Sequence, residues 1–118
     1  MKWIKALEVN LIGIVQFSTR KVGEENLHIY ESDLESRISV IFAPGGLNPE
    51  LWNQQLRYFS RNFHTISFRP TVSYRNFKGE KSGLKAILDQ EHVTDAVLVS
   101  NMTGNSLIQS FADREDVI

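Results

Sequence analysis

Ala96-Val97-Leu98-Val99-Ser100-Asn101-Met102-Thr103-Gly104 joins an apolar run to a tight polar segment. Ala96 to Val99 carries no polar position, as a strand buried on both faces requires. Ser100 to Gly104 offers little room for a free loop. Beyond it Leu107, Ile108, Phe111 and Ala112 recur at helical spacing. The segment therefore reads as strand, sharp turn and helix, the unit from which layered α/β folds are built.

The same unit appears upstream. Ile38-Ser39-Val40-Ile41-Phe42-Ala43 is a second apolar strand, ended by Pro44-Gly45-Gly46. Asn48 suits a helix N-cap and Pro49 the first helical position, so a helix is expected over 49–60. Phe63 to Phe68 is the next strand, Arg69 to Lys78 a loop, and Glu80 to Gln90 a helix with Leu84, Ile87 and Leu88 on one side. Ahead of these lie a strand candidate over 6–17, a polar turn over 19–26 with Gly23, a short strand over 27–30 and a loop over 31–37. This opening reads as a hairpin or two neighbouring antiparallel strands. The order is β-β-β-α-β-α-β-α. It predicts an α/β fold: three layers, α/β/α, around a mostly parallel sheet opened by an antiparallel β-hairpin. The turns Pro44–Leu47 and Ser100–Gly104 both follow the carboxyl ends of strands, the edge at which such sheets build their sites.

Composition sets the outer bounds. With 118 residues the chain has room for a single domain, 1–118. Hydrophobic residues make up 42% and charged residues 23%, as in ordinary globular chains. Thirteen basic and fourteen acidic residues give a net charge of -1, so no global field attracts nucleic acid or an anionic membrane. The absence of cysteine excludes disulfides, thiolate catalysis and cysteine-ligated metal within this chain. Glu8 and Asn10 interrupt the apolar start that would otherwise imitate a signal peptide. The apolar run Leu11–Val15 is far shorter than the ~20 residues that span a bilayer. A cytoplasmic protein with no membrane association and no cofactor is the expectation.

From Glu24 to Ile118 the order and spacing resemble the amino-terminal half of the α/β-hydrolase fold superfamily. Val40 to Gly46 looks like the strand that ends in His-Gly in that family, with Pro44 in the histidine slot. Trp52 stands where members often carry a tryptophan. Arg69 to Tyr74 takes the place of an Asp-x-Arg-Gly-x-Gly loop. Val97 to Gly104 looks like the strand and nucleophile elbow, normally Gly-x-Ser-x-Gly. Here the elbow positions are Ser100, Asn101, Met102, Thr103 and Gly104, so Met102 occupies the nucleophile slot and only Gly104 agrees with the pattern.

The resemblance implies oxyanion-hole-like backbone donors at Gly46 and Thr103. Main-chain amides survive side-chain substitution, so a residual anion or carbonyl pocket is one reading and two ordinary strand-to-helix turns the plainer one. A thioether has no proton to lose and forms no acyl-enzyme. The family's acid and histidine follow the nucleophile, yet no histidine follows Met102, and Asp113, Glu115 and Asp116 come too soon. His28, His64 and His92 all precede the elbow and read as ordinary exposed or hydrogen-bonded residues.

Other chemistry is weaker. Ser100 and Ser106 lack an identifiable base. Gly79-Glu80-Lys81-Ser82-Gly83 superficially resembles a phosphate loop but has misplaced glycines and reads as a loop entering a helix. Arg57, Arg61, Arg69, Arg75, Lys78, Lys81 and Lys85 interleave with Phe63, Phe68, Tyr74 and Phe77. A solvated basic loop between core aromatics explains that better than a nucleic-acid surface. No histidines or carboxylates group at metal-ligand spacing. Asn101-Met102-Thr103 matches a glycosylation sequon that reads as incidental. The expectation is a truncated or degenerate α/β-hydrolase-like protein without serine-hydrolase activity. The alternative is a non-catalytic interaction module, a homodimer or a pair with another chain, that covers an exposed sheet edge near Val99. A small anion-binding α/β domain is the third reading.

Overall fold

The computed structural model describes residues 15–44, 49–71, 77–90, 93–101 and 104–118. The strands are β1 (Val15–Val22), β2 (Glu25–Ser32), β3 (Ile38–Phe42), β4 (His64–Pro70) and β5 (Asp95–Val99). A 3-10 turn, Pro49–Trp52, leads into α1 (Asn53–Phe59); α2 is Phe77–Gln90 and α3 is Asn105–Gln109. The five strands form one sheet in the order β1-β2-β4-β3-β5. β1, β2 and β4 pair antiparallel, whereas β3 pairs parallel with both β4 and β5. The sheet is mixed, two antiparallel pairings followed by two parallel ones, and it opens with the expected hairpin.

Alternation along β3 explains the layers. Val40 and Phe42 face one side, where they pack with Leu56 of α1 and the half-buried Trp52, Phe59 and Phe63. Ile41 and Ala43 face the other, joining Leu27, Ile29, Ile66, Phe68, Leu84, Ile87 and Leu107. Period-two alternation thus supplies an apolar surface to each helical layer. Burying each such large aliphatic or aromatic side chain contributes about 1.5–3 kcal/mol. α2 lies close against the sheet because position 83 is glycine: a Cβ there would stand 3.0 Å from Leu27 Cδ2 and 3.1 Å from Phe68 Cε2.

Element boundaries shift from expectation for identifiable reasons. Of the strand expected over 6–17, residues 15–17 lie within β1, and 6–14 lie outside the described residues. β1 then runs on through Ser18 to Val22, of which 19–22 are expected in a polar turn. Ser18 to Lys21 are held by the ladder to β2 rather than by burial, and Val22 is buried in the core. The turn contracts to Gly23-Glu24 between paired Val22 and Glu25, and Gly23 adopts φ 59°. Glu31 and Ser32, expected in a loop, close β2. Arg69 and Pro70 extend β4, with Pro70 at the strand end opposite Leu27. The Gly79–Gly83 stretch, expected as a loop entering a helix, lies inside α2 itself.

Candidate functional site

Two polar regions sit at opposite ends of the parallel strands. The carboxyl end holds the elbow. Ala43 N–H donates to Val99 O at 2.8 Å, carrying the β3–β5 ladder to the last residue of β5. Ser100 and Asn101 follow half-buried, Gly104 is buried, and α3 begins at Asn105. Gly104 N–H is shared between Asn101 Oδ1 at 3.0 Å and Asn101 O at 3.1 Å, so the asparagine side chain pins the turn. Pro44, in the family's histidine slot, is fully buried. Met102, Thr103 and Gly46, the expected nucleophile slot and oxyanion-hole-like amides, lie outside the described residues. Ser106 is exposed on α3. Among the described residues neither Ser100 nor Ser106 is hydrogen-bonded to a histidine or a carboxylate.

The amino end holds a constellation that sequence spacing does not reveal. Ser39 Oγ lies 2.7 Å from His64 Nδ1, and His64 Nε2 lies 2.5 Å from Glu31 Oε2. Arg20 Nη2 donates to the other carboxylate oxygen, Glu31 Oε1, at 2.7 Å. The four side chains come from β1, β2, β4 and β3, the spatial order of the strands; Arg20, whose backbone lies opposite Leu27, reaches along the hairpin to Glu31. A carboxylate only accepts, so His64 carries a proton on Nε2, and its Nδ1 shares the second hydrogen bond with the Ser39 hydroxyl. His64 N–H donates to Ser36 Oγ at 2.8 Å, and Arg37 Nε donates to Asp95 Oδ2 at 3.0 Å. A cleft of about 800 Å³ opens over this row, lined also by Gln16, Ser18, Asp33, Glu35 and Thr94.

Burial alone would raise the Glu31 carboxyl. The His64 hydrogen bond and the neighbouring His64 and Arg20 charges outweigh that and hold it below the usual carboxylate range. The row has the residue types of a hydrolytic triad but not its access. Ser39 is 0% exposed, and both ring nitrogens of His64 are occupied. It also stands about four strand residues from Ser100, roughly 13 Å at ~3.3 Å per residue. His64 therefore does not serve the elbow. His64 is a hydrogen-bonded residue, as expected, but its partners lie 25 and 33 positions away, and no local pattern signals them. His28 sits on the hairpin, bonded to Thr19 Oγ1 at 2.8 Å and stacked on Phe17; His92 lies outside the described residues.

The remaining sequence candidates separate. Phe68 is 0% exposed and Phe63 packs in the core, so neither offers a stacking platform for bases. Arg61 lies over the Tyr58 ring at 5.9 Å. Among the described residues no three His, Cys, Asp or Glu side chains group as metal ligands, and no helix is long and apolar enough to cross a membrane.

Comparison with solved structures defines the class. A carboxylesterase from Bacillus subtilis is similar over 98% of this chain and 45% of its own, with TM-score 0.66 and 18% identity. A haloalkane dehalogenase loop variant from Bradyrhizobium elkanii matches 88% of this chain and 38% of its own, with TM-score 0.64 and 19% identity. A serine hydrolase from Cycloclasticus zankles matches 87% and 43%, with TM-score 0.67 and 17% identity. The chain thus has a partial α/β-hydrolase fold. It spans less than half the length of each of these proteins. No family profile and no curated protein sequence matches it.

Proposed function

We propose that the chain is a degenerate α/β-hydrolase-like protein without serine-hydrolase activity. The carrying observation is the elbow. β5 passes through Ser100–Gly104 into α3, the setting in which the fold presents its nucleophile, and the sequence puts Met102 in that slot. His64 supports the reading, since its contacts commit it to Ser39 and Glu31 at the other end of the sheet. Purified protein assayed on a p-nitrophenyl ester panel is expected to hydrolyse no faster than buffer. Met102→Ser is expected to remain inactive, because no histidine follows it. Activity in the natural chain that survives Ser100→Ala and Ser106→Ala would overturn this account.

A second reading, an interaction module, draws on the edge of β5. Ala96 N–H donates to Asp116 O at 2.6 Å, and Ile118 N–H donates to Ala96 O at 2.8 Å, so the last residues begin a parallel pairing there. By the two-residue period the Leu98 N–H and C=O face the same way, and no described residue pairs with them. Such an edge takes up an added strand from a second copy or a partner chain. Size-exclusion with light scattering is expected to show a dimer under this reading. A well-packed monomer at all concentrations counts against it.

A further inference from the structure

The β1–β2 hairpin sorts its charges by face. Side chains alternate along each strand, so Arg20, Leu27, Ile29 and Glu31 share the face that carries the main core and the cleft. Glu25, paired with Val22, belongs to that face too. The other face presents Phe17, Lys21, His28 and Tyr30, and the β2–β4 register sets Arg69 opposite His28. Among the described residues of β1, β2 and β4, no carboxylate shares the Phe17 face. Phe17 is 44% exposed there. Its ring stacks on His28 at 5.9 Å and 19°, and leans on Tyr30 at 4.9 Å. Thr19 Oγ1, 2.8 Å from His28 Nδ1, fixes the imidazole in the row. Lys21 Nζ stands 3.8 Å from Glu24 of the turn, an exposed contact that holds it weakly.

We propose that this face binds single-stranded nucleic acid, with bases stacked on Phe17, His28 and Tyr30 and phosphates drawn to Lys21 and Arg69. Cross-strand aromatic pairing stabilises a hairpin without any ligand. It does not account for an open ring surface flanked by cations and free of carboxylates. A base brings a flat face of its own, and a phosphate matches that charge. Aromatic side chains on a sheet stack two or three bases in this way. A duplex keeps its bases stacked on one another and offers the rings nothing to hold. Phe63 and Phe68, the aromatics within the basic stretch, take no part because they lie in the core. The net charge of -1 supplies no long-range pull, so binding rests on these local contacts.

Fluorescence anisotropy of a labelled oligothymidylate of about eight residues, titrated with the whole chain at low salt, tests this. Saturable binding is expected, weakening as salt rises. Phe17→Ala is expected to weaken it about tenfold, the scale of one lost stack, and Phe17→Trp to keep it. Lys21→Gln, an exposed change, is expected to lower the salt slope by about one. Should Phe17→Ala fail to fold, the Lys21→Gln slope decides. No binding by the natural chain overturns the proposal. So does binding that Phe17→Ala and Lys21→Gln both leave unchanged, or a duplex of equal length bound as tightly. A dimer that Phe17→Ala dissolves also overturns it, because a second copy then covers the face.

Discussion

Ser39 and His64 face one another across paired strands, with the fully buried Ser39 Oγ 2.7 Å from His64 Nδ1. The pair joins β3 to β4, and through Glu31 it reaches β2. Removing the ring leaves the Ser39 hydroxyl without its partner in the core and Glu31 with one fewer donor. His64→Ala is expected to destabilise the fold by about 1–3 kcal/mol, the cost of leaving buried polar groups unpaired. Urea denaturation measures it. A change within about 0.5 kcal/mol, the scale of ordinary surface substitutions, would show that the row contributes nothing to stability.

Arg114 gathers Asp89 of α2 and Asp116 of the last turn, at 2.8 Å each, and binds Asp116 through two nitrogens. Hydrogen bonds from Lys85 and Arg114 hold the Asp89 carboxyl below its usual range, and Arg114 does the same for Asp116. A carboxyl depressed in the folded state contributes stability above its unfolded pKa. That contribution is lost as pH falls through the folded value. Arg114→Met is expected to flatten the acid side of the stability curve, below about pH 4. An unchanged slope between the two proteins argues against this linkage.

Gly83 is where α2 touches the sheet most closely. A valine there brings branched carbons against Leu27 and Phe68, which are both 0% exposed and have little room to move. Gly83→Val is expected to cost about 1–3 kcal/mol, the usual range for overpacking a filled core. Thermal unfolding reads the change. A variant as stable as the natural chain would mean that the helix shifts outward freely.

Asn101 acts on the elbow through Gly104 N–H. Asn101→Ala is expected to destabilise by about 0.5–2 kcal/mol, as loss of a side-chain cap does, and Asn101→Asp to retain most of the stability. Equal denaturation midpoints for all three proteins would place the turn's support in its backbone alone.

Legibility follows apolar patterning. β3 is readable because Val40, Ile41 and Phe42 are apolar on both faces; β5 is readable from apolar Ala96–Val99, although it lies at the sheet edge with only Ala96 buried, not buried on both faces as expected. The extent of β1 is not legible because Thr19, Arg20 and Lys21 look like loop, yet pairing with β2 makes them strand. Glu31 and Ser32 read as loop for the same reason, and pairing makes them strand. The elbow's setting was legible, since strand, turn and helix are local in sequence. The amino-end row was not. Its members are individually commonplace, and only the sheet order brings Arg20, Glu31, His64 and Ser39 together.

The missing side chain at position 83 works as a spacer of zero thickness. It sets how far α2 stands from β2 and β4, and so fixes the depth to which Leu27 and Phe68 are capped. Any bulkier residue would act as a shim, tilting the helical layer and prising at the turn end of the hairpin. One absent methyl group thereby tunes how firmly the antiparallel opening of the sheet is held to its parallel remainder.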